Sequence, residues 1–335
     1  MKFKARAPLR ISFAGGGTDV SPYPENKGGC VINSTINQYI TSSFITDESG
    51  MLRVHSLDFD TIASFGDMRD FTYDGEMGLI KAVFAHMGII PSGDLYISSD
   101  APPGSGLGSS STLAVNLVSL LATIKNEPLT SYEIAKKAYV IEREELGIPG
   151  GRQDQYAATF GGFNFMEFIG SETIVNPLKI KKDVIAEVES DLILCFTGQT
   201  RGSAKIIEDQ TKNLLAGKGG TEEAMDRTKE LAIRTKNALI LGNTEEFGRL
   251  LHEGWTLKKE FSTKMTNPKI DLLYNRAREL GALGGKLLGA GGGGYLLLYV
   301  PFSNRKDISR EMEKNGGKIV PFNFEFSGVR TWRVK

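Results

Sequence analysis

Two spacings of apolar residues alternate along this chain. One-by-one alternation with frequent β-branched residues predicts β-strands, and apolar residues that return every three to four positions predict amphipathic helices. The predicted strands are 40–45, 52–54, 94–99, 163–168, 192–196, 295–300 and one final alternating strand through Val320, Phe322, Phe324 and Phe326. The predicted helices are 109–125, 130–146, 203–215, 222–241, 244–261, 267–280 and 303–314.

The mixture of strands and helices lacks the strict alternation of a doubly wound sheet, so it indicates an α+β protein. Residues 109–125 carry no charge before Lys125 and place their leucines on one face, which predicts a helix buried against a sheet. The length of 335 residues and a change of pattern near 185–200 predict two domains, 1–190 and 191–335.

Charge and composition exclude several classes of function. Lys+Arg and Asp+Glu both number 40, so the net charge is zero, and no basic run could follow a nucleic-acid backbone. Cys30, Cys195 and the histidines have no metal-like spacing, so we expect no zinc site and reduced thiols, as in a cytoplasmic protein. No apolar run approaches the roughly 18 residues of a membrane helix, and no signal-peptide core is present. Phosphate binding must therefore rely on a few placed groups.

A glycine- and serine-rich segment joins a predicted strand to the buried helix. Its glycines let successive N–H groups converge, and the helix N-terminus adds positive charge, so the segment predicts an anion cradle whose serine hydroxyls can also bind Mg²⁺. The predicted phosphate-binding residues are Pro103, Gly104, Ser105, Gly106, Leu107, Gly108, Ser109, Ser110 and Ser111. The alternative is a glycine turn with a serine N-cap; the P-loop lysine and the dinucleotide fingerprint are both absent.

Three motifs in order resemble one enzyme family. The string Pro-x-x-x-Gly-Leu-Gly-Ser-Ser resembles the central motif of the GHMP kinases, a family that includes galactokinase, homoserine kinase and mevalonate kinase. Ala7-Pro8-Leu9-Arg10 resembles the family's N-terminal motif, and 286–295 resembles its glycine-rich C-terminal motif. The resemblance covers essentially the whole chain. It implies a two-lobed fold, with a ribosomal S5-like N-terminal lobe for ATP and a ferredoxin-like C-terminal lobe on either side of a cleft.

The resemblance also implies the chemistry. ATP is the implied phosphoryl donor, Mg²⁺ the implied cofactor and a hydroxyl of a sugar or sugar phosphate the implied acceptor. Arg10 is implied beside the transferred phosphoryl group, and Asp154 as the carboxylate that orients the acceptor hydroxyl and accepts its proton. Glu142 and Ser110 are implied as Mg²⁺ ligands, with Glu145 as a competitor for the role of Glu142.

Each of these residues also has an ordinary structural explanation. An isolated Arg10 could form a surface ion pair, Glu142 could lie on a solvated helix face, and a lone Asp154 could stabilise a turn. The matched order of the segments favours the catalytic interpretation.

The sugar site is implied by the same motifs. The implied substrate-binding residues are Gly16, Gly17, Thr18, Asp19, Arg201, Gly291 and Gly292. Galactokinases carry Glu and His where Gly16 and Gly17 stand, so this chain leaves room for a different or bulkier sugar. Segments around Arg201, Trp255 and Lys286 resemble the branch that phosphorylates C1 of a heptose 7-phosphate on the route to nucleotide-activated heptose. The alternatives are a fucose- or galactose-type kinase and a non-catalytic sugar-sensing homologue.

A substrate that already carries phosphate needs a second anion site. Arg201, with Ser203 and Lys205, is one candidate, and an ordinary helix N-terminus with flanking basic residues explains the same pattern equally well. Arg152 and Lys286 are competing candidates for this site.

Overall fold

The computed structural model describes residues 1–57, 61–73, 75, 77–202, 204–217 and 220–334. In this part of the chain the strands are β1 (Lys2–Ala14), β2 (Gly29–Thr46), β3 (Leu52–Ser56), β4 (Thr61–Phe65), β5 (Gly93–Ser99), β6 (Phe163–Ile169), β7 (Glu172–Pro177), β8 (Leu192–Phe196), β9 (Gly284–Leu287), β10 (Tyr295–Tyr299), β11 (Lys318–Val320), β12 (Phe324–Glu325) and β13 (Arg330–Val334). The helices are α1 (Tyr23–Lys27), α2 (Gly78–Met87), α3 (Ser109–Lys125), α4 (Ser131–Tyr139), α5 (Gln153–Phe160), α6 (Lys182–Asp191), α7 (Ala204–Leu215), α8 (Thr221–Leu241), α9 (Thr244–Lys259), α10 (Pro268–Glu279) and α11 (Arg305–Lys314). A π-helical turn, Val140–Glu145, continues α4, and short 3₁₀ turns lie at Met68–Asp70 and Phe302–Asn304.

The first sheet has the strand order β13-β1-β2-β5-β3-β4, and β12, β6 and β7 extend it through β2. β1 and β2 form its long antiparallel pair, in which Arg10 lies opposite Thr35. α3 packs across this pair and buries Leu117 and Leu120, as expected for an uncharged helix. The backbone N–H of Arg10 donates to the Leu107 carbonyl at 3.1 Å, which ties β1 to the loop before α3.

The second sheet has the order β11-β8-β10-β9 with antiparallel neighbours. Helices α9, α10 and α11 cover it and bury Trp255, Tyr274 and Met312. α9 also contacts β1, so it bridges the two sheets, and α8 packs on β1, β2 and α9. The N–H of Tyr295 on β10 donates to the Ser105 carbonyl at 3.1 Å, which brings the glycine tract before β10 against the loop before α3.

Most predicted elements are confirmed, and α3 spans the predicted residues 109–125. The single final strand is wrong. β11 pairs with β8, β12 with β2 and β13 with β1, so the alternating residues are divided between two sheets. Phe322 and Phe324 alternate with polar residues because they pack onto the core where the chain crosses from one sheet to the other.

Two further differences concern the site and the division of the chain. Asp154 lies in the first turn of α5, a helix absent from the predicted elements, and not in a loop. The predicted division after residue 190 falls at the end of α6, just before the second sheet begins, but β12 and β13 return to the first sheet. In the described residues, no helix combines the length and apolar character required to cross a bilayer.

Candidate active site

A cavity of about 220 Å³ is bounded by β1, α5, α9, β9 and the segment before α3. We call that segment, residues 103–108, the glycine loop. The predicted site residues that line the cavity are Arg10, Gly16, Gly17, Asp19, Gly104, Gly106, Gly108, Ser109, Ser110, Ser111, Glu142, Asp154, Arg201 and Gly291. The predicted residues outside its wall are Pro103, Ser105, Leu107, Thr18 and Gly292.

The glycine loop has a backbone that only glycine allows at alternate positions. Gly104, Gly106 and Gly108 have φ angles of 71°, 86° and 79°. A β-carbon at Gly106 would lie 2.6 Å from the carbonyl oxygen of Leu288, so a side chain has no room there. α3 begins directly after the loop, and its first residues, Ser109 to Ser111, line the cavity. The free N–H groups and positive end of this helix suit a phosphate group.

The side chains of Ser105 and Leu107 do not line the cavity, so only their backbone could take part in the predicted cradle. Both are fully buried, because the alternating glycines turn the residues between them into the fold. They contribute through their carbonyl oxygens, which accept hydrogen bonds from Tyr295 and Arg10. Pro103 is exposed and does not line the cavity.

Asp154 and Arg10 form a two-point pair inside the cavity. Nε of Arg10 donates to Oδ1 of Asp154 at 2.7 Å, and Nη2 donates to Oδ2 at 2.8 Å. The third nitrogen, Nη1, donates to the Gly106 carbonyl at 2.6 Å. The side chain of Asp154 is 17% exposed and that of Arg10 is 5% exposed, so the carboxylate is the more accessible partner. Three distant segments thus meet at the end of the glycine loop.

Asp19 is a second carboxylate in the cavity wall. Its Oδ1 accepts from the Gly17 N–H at 3.0 Å, and its Oδ2 accepts from the backbone and side-chain nitrogens of Gln153, each at 3.2 Å. Burial raises the pKa of Asp19, and the nearby charge of Asp154 raises it further. A buried carboxylate with this backbone support is suited to accept hydrogen bonds from sugar hydroxyls.

Thr18 does not face the cavity, contrary to the prediction. It is fully buried, its Oγ1 donates to the Gly15 carbonyl at 2.8 Å, and the Cys30 N–H donates to that Oγ1 at 3.1 Å. These bonds fix the turn that presents Asp19, so Thr18 has a structural role.

Glu142 is buried behind the start of α3. Its Oε2 accepts from Ser111 Oγ at 2.6 Å and from Gln155 Nε2 at 2.7 Å, and Arg143 Nη1 lies 3.3 Å from Oε1. The hydroxyl that contacts Glu142 therefore belongs to Ser111, whereas Ser110, the residue predicted to share Mg²⁺ with Glu142, is exposed. Successive residues of a helix point about 100° apart, so only one of the two serines can face Glu142 directly.

The metal prediction fits the donors present. Mg²⁺ prefers oxygen ligands and usually shares them with waters and substrate phosphates. In the described residues no cluster of three or more acidic, His or Cys side chains could hold a metal without such help. Glu142 and Ser110 both line the cavity beside the glycine loop, which suits a Mg²⁺ shared with phosphate. Glu145 lies outside the cavity, 2.7 Å from His86 Nδ1, and is no competitor.

Arg201 lines the cavity where the glycine loop meets the glycine tract before β10. A β-carbon at Gly104 would lie 3.2 Å from the Arg201 carbonyl oxygen, and one at Gly292 would lie 3.0 Å from Arg201 Cδ. Gly292 itself is outside the wall because its N–H donates to the Met265 carbonyl at 2.8 Å.

Two other basic residues predicted as candidates for the second anion site, Lys205 and Arg152, do not line the cavity. Lys205 is exposed and does not line the cavity, and Ser203 lies outside the described residues. Arg152 donates to the Glu25 carboxylate and, at 2.5 Å, to the Gly170 carbonyl, also away from the cavity. Its guanidinium therefore supports the fold.

Sequence reasoning missed Lys258 and treated Lys286 only as a competitor. Both line the cavity, at 9% and 5% exposure. Burial lowers the pKa of Lys258 to about 8, and burial lowers the pKa of Lys286 well below its usual value. The signal for Lys258 is helical spacing: it follows Trp255 by three positions and Leu251 by seven, and both are fully buried on α9.

This chain is similar to known kinases in both sequence and structure. A model of the GHMP kinase N-terminal domain matches residues 77–162, and a model of the GHMP kinase C-terminal domain matches 235–318. A D-glycero-alpha-D-manno-heptose 7-phosphate kinase of Campylobacter jejuni is 39% identical over 99% of both chains. A crystal structure described as a D-glycero-D-manno-heptose 1-phosphate kinase from Bacteroides thetaiotaomicron is 36% identical, with a TM-score of 0.83 and 99% of both chains covered. A bifunctional fucokinase/GDP-fucose pyrophosphorylase of Arabidopsis thaliana is 28% identical, over 93% of this chain and 31% of its own length.

Proposed function

This chain belongs to the GHMP kinase family, and on that basis we propose that it transfers a phosphoryl group from ATP to the C1 hydroxyl of D-glycero-D-manno-heptose 7-phosphate. The product is the 1,7-bisphosphate, an intermediate on the way to nucleotide-activated heptose. The observation that carries the proposal is the Arg10–Asp154 pair, which faces the cavity at the end of a loop built to hold phosphate.

The nucleotide lies along the glycine loop. The N–H groups at the start of α3 and the hydroxyls of Ser109 and Ser110 face its phosphates, and Arg201 adds positive charge beside Gly104 of the loop. Glu142 and Ser110 would hold Mg²⁺, which would supply neutralisation of the phosphate charge.

The acceptor sugar lies against Asp19, Gly16 and Gly17. Asp19 accepts hydrogen bonds from sugar hydroxyls, and Gly16 and Gly17 line the cavity beside it. Asp154 orients the C1 hydroxyl and accepts its proton as the bond from that oxygen to the γ-phosphorus of ATP forms, while the bond from the γ-phosphorus to the bridging oxygen breaks and ADP leaves. Arg10 holds Asp154 in place, and its remaining N–H hydrogens face the phosphoryl group during transfer.

The names of the two similar proteins place the phosphate differently, on C7 for the Campylobacter enzyme and on C1 for the Bacteroides structure. The proposal follows the name of the Campylobacter enzyme, in which the substrate carries its phosphate on C7, so that C1 bears the free hydroxyl that receives phosphate.

A substrate panel tests the proposal. The purified protein is incubated with ATP and Mg²⁺ and with heptose 7-phosphate, heptose 1-phosphate, unphosphorylated heptose, fucose or galactose, and products are identified by ³¹P NMR. We expect the highest kcat/KM with heptose 7-phosphate and a new anomeric phosphate signal. A preference of orders of magnitude for an unphosphorylated sugar would contradict the proposal.

A further inference from the structure

Lys258 and Lys286 reach the same cavity from the second half of the chain. Lys258 lies in the last turn of α9 and donates to the Gly289 carbonyl. Lys286 lies on β9 and donates to the Phe13 carbonyl at 3.0 Å. The cavity touches both side chains, although each is at least nine-tenths buried.

Neither ammonium has a carboxylate within ion-pair distance among the described residues. An ammonium has three N–H donors, and each of these lysines uses one of them on a single backbone carbonyl. A buried charge that lacks an ionic partner is unfavourable, so a purely structural role does not explain why two such groups line one cavity.

The charged groups around the two lysines carry more positive than negative charge. The charge of Arg10 lowers the pKa of both lysines, and the charge of Lys258 lowers the pKa of Lys286. Asp154 is already paired with Arg10 through two hydrogen bonds. Asp19 is the carboxylate whose charge favours the protonated form of both lysines, and it is committed to backbone and glutamine donors. An anion that enters this part of the cavity would balance the excess.

We propose that Lys258 and Lys286 form a phosphate-binding subsite in the part of the cavity wall that α9 and β9 provide, and that they contact a phosphate group of the reacting pair through their unused N–H donors. This inference rests on the proposed function. A phosphate oxygen matches these point-charge donors, and two lysines can hold two oxygens of one group. The bound group is either the phosphoryl group in transfer or the phosphate already on the sugar, and the kinetic arms below distinguish them.

Backbone contacts connect Lys258 to the glycine loop, where the nucleotide is proposed to lie. The carbonyl that receives the Lys258 hydrogen bond belongs to Gly289, and a β-carbon at Gly289 would lie 2.5 Å from Gly106 Cα. Gly106 is also the residue whose carbonyl binds Arg10. Lys258 therefore binds a residue, Gly289, that itself packs against the glycine loop.

The binding test uses K258M, K286M and the control K259M, with K258Q and K286Q as second substitutions. Lys259 is the next residue of α9, is exposed and lies outside the cavity. Inorganic phosphate and the ATP analogue AMP-PNP with Mg²⁺ are titrated by calorimetry and by thermal shift. We expect at least tenfold weaker phosphate binding in the two cavity variants and wild-type binding in K259M. This arm needs no acceptor sugar, so it remains decisive if the proposed substrate is wrong.

Steady-state kinetics of the same variants show which phosphate group the two lysines hold. If the lysines hold the sugar's own phosphate, the KM for heptose 7-phosphate rises at least tenfold while the rate with unphosphorylated heptose stays the same. If they hold the transferred phosphoryl group, kcat falls at least tenfold with every acceptor. Either result supports the subsite.

Unchanged phosphate affinity and kinetic constants within twofold of wild type would overturn the subsite. So would variants of both substitution types that lower the melting temperature while turnover per folded molecule is unchanged, because that result assigns the lysines to stability alone. If wild type turns over no heptose at all, the proposed function fails, and phosphate titration still decides the subsite.

Discussion

Arg10 and Asp154 are 144 positions apart in the chain, yet the guanidinium of one binds the carboxylate of the other at 2.7 and 2.8 Å. Arg10 also bonds to the glycine loop through Gly106. A change at Arg10 should therefore disturb the reacting groups and the loop together, whereas an isosteric change at Asp154 should affect the reacting groups.

The first prediction concerns Asp154. D154N removes the proton acceptor while keeping the size of the side chain, so we expect kcat to fall by about 10²–10⁴-fold. AMP-PNP affinity should stay near wild type, because the glycine loop is unchanged. The control is D183N, since Asp183 lies in the first turn of α6 as Asp154 lies in the first turn of α5. A wild-type rate for D154N would contradict the assignment.

The second prediction concerns Arg10. Lysine cannot make a two-point contact, so R10K should lower kcat by about 10²-fold, measured by steady-state kinetics. Arg53 provides a matched control because it binds Asp94 in the same way, at 2.8 and 2.7 Å, far from the cavity. R53K should leave kcat unchanged. If R10K and R53K lowered kcat equally, the two-point geometry of these Arg–Asp pairs would matter only for folding.

The third prediction concerns the glycine loop. G106A places a methyl group 2.6 Å from the Leu288 carbonyl at a φ of 86°, so the loop must shift and AMP-PNP binding should be lost. G88A tests the cost of a positive φ without a steric clash, because Gly88 has a φ of 64° and no atom lies within 4 Å of the added carbon. It should cost about 1–2 kcal/mol of stability without affecting nucleotide binding. Calorimetry and thermal melts measure both effects.

The fourth prediction concerns the metal. E142Q keeps the shape of the side chain but removes its charge, so the Mg²⁺ concentration for half-maximal activity should rise roughly 10–100-fold. E145Q is the control, because Glu145 is exposed and bonded to His86. A Mg²⁺ titration at saturating ATP compares the two variants. Equal Mg²⁺ requirements would remove Glu142 from the metal site.

The fifth prediction concerns pH and stability. The pKa of Lys258 is about 8 in the folded protein and 10.5 as its ordinary value, so the unfolded chain binds more protons between these limits. The contribution of Lys258 to stability therefore rises with pH from about 8 to 10.5. Below pH 8 the buried charge costs roughly 3 kcal/mol, and K258M should be more stable than wild type there.

This advantage of K258M should shrink as the pH approaches 10, and K259M should show none at any pH. Urea unfolding at pH 7 and pH 10 provides the comparison. A K258M variant less stable than wild type at pH 7 would contradict the burial of a charged ammonium.

The sequence by itself determined the features that depend on neighbouring residues. The buried face of 109–125, the capping box of Thr130 and Glu133, and the glycine loop all follow from local spacing, and the structure has them where the pattern places them. The order of the motifs also indicated the family. These features are predictable because helix periodicity and the backbone freedom of glycine act within a few residues.

Only the tertiary structure decided which distant atoms meet. It placed the hydroxyl of Ser111 against Glu142, turned Thr18 away from the cavity and divided the last alternating segment between two sheets. It also brought Lys258 and Lys286 into the cavity wall. The physical reason is that sheet register and helix packing set these contacts, and a rotation of one residue changes the partner without changing the pattern of apolar positions.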